Sequence, residues 1–118
     1  MRANVYDMKE EITYDDFAKL DMRIGTVLAA ELVPNTDKLI KCTVDFGEFG
    51  KRTIVSGIAK WRTPENLLDK QFPYIVNLAP RTLRGVESQG MLMAPGTEDG
   101  LAALLNPDEP VENGVCIR

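Results

Sequence analysis

The sequence predicts an all-β domain: a single five-stranded barrel with short helices and an added C-terminal hairpin. Three observations carry that expectation. Five short stretches alternate apolar and polar residues, glycine and proline turn signatures separate them, and one helical turn falls between the third and fourth. A chain of 118 residues, 44% of them apolar, can bury one compact core.

Residues 1–11 have no apolar periodicity and are expected to form a flexible arm ahead of a domain spanning 12–118. Thr13 or Asp15 can cap a short helix through Phe17 and Leu20, with acids in its first turn where the helix dipole favours them. This helix reads as a plug or edge cover. The first strand runs from Met22 to Leu32, with Ile24, Thr26, Leu28, Ala30 and Leu32 on one face, Arg23, Val27 and Glu31 on the other, and a bulge or bend at Gly25. Pro34-Asn-Thr-Asp37 is a turn signature that ends it.

The second strand, Leu39 to Phe46, alternates Ile40, Cys42, Val44 and Phe46 with polar residues, and Gly47 to Gly50 reads as a hairpin connection to a third strand, Arg52 to Ser56. Thr63 and Pro64 start the helical turn that follows. The fourth strand spans Phe72 to Leu78, with Pro73 marking an edge or entry position, and the fifth spans Gly90 to Ala94 after a turn at Arg84-Gly85. This element order is that of an OB-fold Greek-key barrel. From about residue 95, an extension follows in which Leu101 to Leu105 and Val115 to Ile117 flank Asn-Pro-Asp-Glu-Pro, expected to pack on the barrel or on another subunit.

Composition excludes several function classes. The chain has no histidine, so the commonest metal ligand and general base are absent, and no activated nucleophile, separated carboxylate pair or phosphate-cradling glycine loop is visible. We expect no enzyme, no metal and no cofactor. Cys42 and Cys116 lack metal spacing and are expected to be reduced. With no apolar run long enough to cross a bilayer and no apolar signal core, the protein is expected to be soluble and cytoplasmic, without a membrane partner.

The net charge of −4 argues against a nucleic-acid partner, but its distribution argues for one. From Lys51 to Gly90 the balance is +4, leaving −8 for the remainder, so one face can be basic. Looped or single-stranded RNA is held by cations at phosphates, by amides and hydroxyls at base edges, and by flat or soft surfaces. Lys38, Arg52, Arg81 and Arg84 are the phosphate candidates; Asn35, Ser56, Asn77, Ser88 and Gln89 are the base-edge candidates. Met91 could offer a soft contact, whereas Met93 reads as core; Trp61 and Phe49 could stack on bases or fill the barrel mouth.

Four ordered segments carry a resemblance: Asp21-Met-Arg-Ile-Gly-Thr-Val, Val33-Pro-Asn-Thr-Asp-Lys-Leu39, Arg52-Thr-Ile-Val-Ser-Gly-Ile58, and Asn77-Leu-Ala-Pro-Arg-Thr-Leu-Arg-Gly-Val-Glu-Ser-Gln-Gly-Met91. They resemble the tRNA-binding domain family, the OB-fold module found free-standing and at the C-terminus of methionyl-tRNA synthetases. The likeness covers about Ile12 to Arg118. It implies a structure-specific tRNA binder that acts as a homodimer joined through its C-terminal extension, with delivery of tRNA to a methionyl-tRNA synthetase in trans as an expected role. Where family members commonly have His-Pro-Asn, this chain has Val33-Pro34-Asn35, so any role of that histidine is lost. The competing expectation is a dimeric, secretion-chaperone-like protein that binds unfolded peptides.

Overall fold

Because β-branched and aromatic residues recur at alternate positions, the chain folds into strands that bury one face each. The structure, a computed structural model, describes residues 8–118. The first seven residues of the expected arm lie outside the described residues. Helix α1 (Tyr14–Phe17) is capped by Thr13, whose Oγ1 accepts from Asp16 N while Asp16 Oδ2 accepts from Thr13 N. It buries no residue, so it is not the plug. That role falls to α2 (Pro64–Leu67), started by Thr63 and Pro64, which drives Leu67 into the core.

Five strands form the barrel wall in the order β3-β2-β1-β4-β7: β1 (Met22–Leu32), β2 (Ile40–Asp45), β3 (Lys51–Ser56), β4 (Gln71–Ile75) and β7 (Met91–Leu92). The expected alternation in the second strand holds, and Ile40, Cys42, Val44 and Phe46 all enter the core with Val27, Ile54, Phe72 and Tyr74. Phe46 and Tyr74 meet edge to face, with ring centroids 5.4 Å apart.

The face assignment in the first strand needs correction. Val27 is fully buried, whereas Leu28 and Leu32 are exposed. Val27 lies opposite Val44 and Ala29 opposite Thr43, so Leu28 is an extra residue in a bulge that flips the side-chain phase. Gly25 serves another purpose: a Cβ there would come within 2.5 Å of Val44 Cγ1 and 2.8 Å of Phe46 Cε1. Pro73 lies inside β4 rather than at its entry. Its carbonyl accepts from Met93 N, so its missing N–H faces the short β7 ladder and not β1.

Between β4 and β7 the chain makes a hairpin, β5 (Arg81–Leu83) and β6 (Val86–Ser88), where only a rim loop was expected. Its turn residues Arg84 and Gly85 both have positive φ, 51° and 82°, matching the twist of a tight hairpin. The extension also contains a hairpin, but only β8 (Gly96–Thr97) with β9 (Gly100–Leu101). Val115 to Ile117 do not pair with Leu101 to Leu105. They lie along β1, where Gly114 N donates to Ile24 O, Ile24 N to Val115 O and Ile117 N to Met22 O. This edge is open because β2 pairs with β1 only from Thr26 onward.

Candidate nucleic-acid interface

The barrel is closed by side chains as much as by backbone. Gln89 N donates to Thr53 O at 2.8 Å, Thr53 N donates to Gln89 Oε1 at 2.9 Å, and Val55 N donates to Ser88 Oγ at 2.9 Å. Ser88 is buried, and its hydroxyl in turn donates to Gly90 O. Arg52 lies over the same seam, its Nη1 donating to Val76 O and, at 3.1 Å, to Gln89 O. These three expected RNA contacts therefore hold the β3 to β7 junction through Arg52 Nη1, Ser88 Oγ and Gln89 Oε1. Asn77 is likewise occupied: Oδ1 accepts from Asp21 N at 2.8 Å and Nδ2 donates to Lys19 O at 2.6 Å, which ties α1 to the barrel.

The other six candidates front on solvent or on one face. The turn between β1 and β2 comes against the β5–β6 hairpin, and Lys38, Arg84, Leu83 and the acid Asp37 line the resulting cleft of about 290 Å³. Asn35, in the same turn, has φ 64° and is exposed, so its first role is to make the turn. A larger groove of about 520 Å³ continues from Leu83 and is lined by Ser56, Ile58, Arg81, Met91 and Leu101. Met91 is 47% exposed there. Leu83 lines both spaces and Arg81 sits at the wall of the second, so the hairpin forms their shared ridge.

Three cations stand on this face. Among the described residues, Lys38, Arg81 and Arg84 form no ion pair. All three are exposed, so their charge is available to a phosphate backbone. The other large groove, about 540 Å³ between Lys70 and the 106–110 turn, is lined by Asp69, Asp108 and Glu109 and repels anions. Arg23 is engaged elsewhere, with Asp21 Oδ1 at 2.8 Å, Gly114 O at 2.8 Å and the Phe49 ring 4.1 Å away. Phe49 is thus a half-exposed cation–π partner that helps hold the C-terminal strap.

Among the described residues no three metal-ligating side chains gather. The titratable groups that shift are inside the barrel: burial pushes the Cys42 thiol up to about 11, and burial, with a smaller contribution from Cys42, pushes the Tyr74 hydroxyl up as well. Both cysteines are free, Cys42 buried and Cys116 exposed. Sequence reasoning missed Leu83, Ile58 and Leu101 as lining residues. Their only signal was apolar, which in a sequence reads as core.

Known proteins are similar to this chain over most of its length. A methionine–tRNA ligase of Flavobacterium psychrophilum is 53% identical over 100 residues, covering 85% of this chain and 14% of the ligase. This chain thus spans about a seventh of the length of that curated relative. The crystal structure of a MetRS related protein from Pyrococcus horikoshii has a TM-score of 0.87 and 45% identity, covering 93% of this chain and 100% of that one. A chaperone CsaA from Bacillus anthracis str. Ames has a TM-score of 0.84 at 34% identity, over 92% of this chain and 100% of that one. The family described as a putative tRNA binding domain matches residues 22–116. Fold, motifs and relatives agree, and the chain belongs to that tRNA-binding domain family.

Proposed function

We propose that this chain binds tRNA by its shape, without catalysis, on the face made by the 33–39 turn and the β5–β6 hairpin. Lys38, Arg81 and Arg84 hold phosphates, while Ser56, Asn35 and the soft side chain of Met91 meet exposed bases or a kinked backbone. The observation that carries this reading is that the β5–β6 hairpin presents Arg81 on one groove and Arg84, with Lys38, on the adjoining cleft, all three exposed and without an ion pair among the described residues. Arg52, Ser88 and Gln89 contribute indirectly, by fixing the seam from which the hairpin projects, and Asn77 by tying the segment after α1 to the barrel.

The chain works in the cytoplasm as a homodimer joined through the extension, whose Leu105, Val111 and Val115 are exposed apolar residues suited to a partner subunit. It raises the local concentration of tRNA and delivers it in trans to a methionyl-tRNA synthetase. Its relatives of that name are consistent with such a role.

Binding of mixed tRNA at two salt concentrations tests the reading. With three phosphate contacts, affinity falls roughly 15- to 40-fold between about 50 and about 200 mM salt. Substituting Arg81→Ala together with Arg84→Ala lowers affinity and removes about two units of the logarithmic salt slope. The apolar lining by Ile58, Leu83 and Leu101, with the likeness to a chaperone, favours a second reading in which the groove takes unfolded peptide. That reading requires peptide binding nearly indifferent to salt and to both arginines.

A further inference from the structure

The single tryptophan, Trp61, is 38% exposed in the loop that leaves β3. Its backbone is fixed: Trp61 N and Arg62 N both donate to Ile58 O at 3.0 Å, and Ala59 N donates to Lys38 O at 2.9 Å. One side of the indole rests on Gly100, where a Cβ would lie 2.0 Å from Cζ2 and 2.3 Å from Cη2. Only a glycine gives the ring that flat seat. Gly100 also lines the groove that holds Ser56, Arg81 and Met91, so the residue that seats the indole is part of that groove's wall.

Two cations adjoin this ring in the chain. Lys60 and Arg62 flank it in sequence, and neither forms an ion pair among the described residues. Arg62 Nη1 donates to Trp61 O, which keeps the guanidinium beside the loop. Glu98 and Asp99 form the tip of the β8–β9 hairpin whose Gly100 seats the indole. A partly exposed aromatic plane with two cations next to it in the chain suits a base on the ring and a phosphate backbone beside it.

We propose that Trp61 is a stacking platform for one unstacked base of a single-stranded RNA segment, with Lys60 and Arg62 holding the adjoining phosphates. This rests on the tRNA-binding reading and extends its face beyond the turn and hairpin to the loop after β3. A base stacked here and phosphates held at Arg81 belong to one continuous strand of RNA along the groove.

Intrinsic fluorescence reads the platform directly, because no other residue of the chain is a tryptophan. Mixed tRNA and a six-nucleotide adenylate RNA are titrated into the full chain, and filter retention gives the bound fraction in parallel. Both RNAs quench the indole in step with occupancy and shield it from acrylamide. Trp61→Ala weakens binding about 10-fold, within a range of roughly 5- to 150-fold for a lost base–aromatic stack, and Trp61→Phe retains most of the affinity. Lys60→Gln with Arg62→Gln weakens binding and lowers the logarithmic salt slope by up to about two.

If tRNA is retained but the indole neither quenches nor gains protection, the platform is refuted while the turn-and-hairpin reading stands. Equal affinity in folded Trp61→Ala refutes it too. Failure of the unaltered chain to retain tRNA at low salt overturns both. Should Trp61→Ala not fold by circular dichroism, quenching of the unaltered chain and the affinity of Trp61→Phe decide.

Discussion

Replacing Arg52 by alanine removes a guanidinium that donates to Val76 O and Gln89 O across the barrel seam. Hydrogen bonds to charged groups contribute about 1.5–3 kcal/mol each, and the two carbonyls lose partners together. Arg52 is only half-buried, so water replaces part of that loss, and the expected cost is about 2–4 kcal/mol. A domain of this size has an unfolding entropy near 0.25 kcal/mol/K, so Tm falls by about 8–16 °C. Thermal unfolding followed by circular dichroism measures this. At a temperature where both proteins are folded, tRNA affinity falls less than about threefold, because the side chain already serves carbonyls and not phosphates. A Tm within about 2 °C of the unaltered chain, with tRNA affinity down tenfold or more, would refute this assignment and return Arg52 to the phosphate contacts.

Gly25→Ala places a methyl within 2.5 Å of Val44 and is expected to lower stability in urea unfolding by about 1–3 kcal/mol through overpacking. Ser88→Ala leaves Val55 N without its acceptor in a buried seam, a loss of about 1–3 kcal/mol, with tRNA affinity unchanged in the folded protein. For Cys42 the folded thiol titrates at about 11 against an ordinary 9.0, so the native state holds its proton longer than the unfolded chain does. Stability from this group is complete below the unfolded value and is lost as pH rises from about 9 to about 11; the urea midpoint falls over that window, and less so in Cys42→Ala. In the native protein a thiol reagent labels Cys116 quickly and Cys42 only on unfolding, since only the first is exposed.

Much of the barrel was legible because alternation at period two maps directly onto inside and outside. Ile40 to Phe46 shows the rule at its strongest, each apolar residue facing the core. The rule broke at Leu28, where one inserted residue reversed the phase of β1; nothing in the run Val27-Leu28-Ala29 distinguishes a bulge from a regular strand. The β5–β6 hairpin was read as a loop because Arg84-Gly85 lacks the asparagine or aspartate that usually announces a tight hairpin.

The site was legible as a region rather than residue by residue. Arg81 and Arg52 look alike in sequence, but one stands on an exposed hairpin and the other bridges two carbonyls. Ser88 and Gln89 were singled out as base-edge candidates. What a sequence cannot supply is the partner across the seam, Thr53 and Val55, more than thirty residues away. The long-range contacts that decide whether a polar side chain is structural or free are made by the fold, not by its neighbours in the chain.

The central claim is where tRNA lies, and amide hydrogen exchange with and without saturating mixed tRNA tests it most directly. Protection is expected in the 33–39 turn, in the hairpin from Arg81 to Ser88 and in the loop carrying Trp61, with no change in the acidic groove at the 106–110 turn. Protection centred on the 106–110 turn, with the hairpin exchanging as it does without tRNA, would contradict the account.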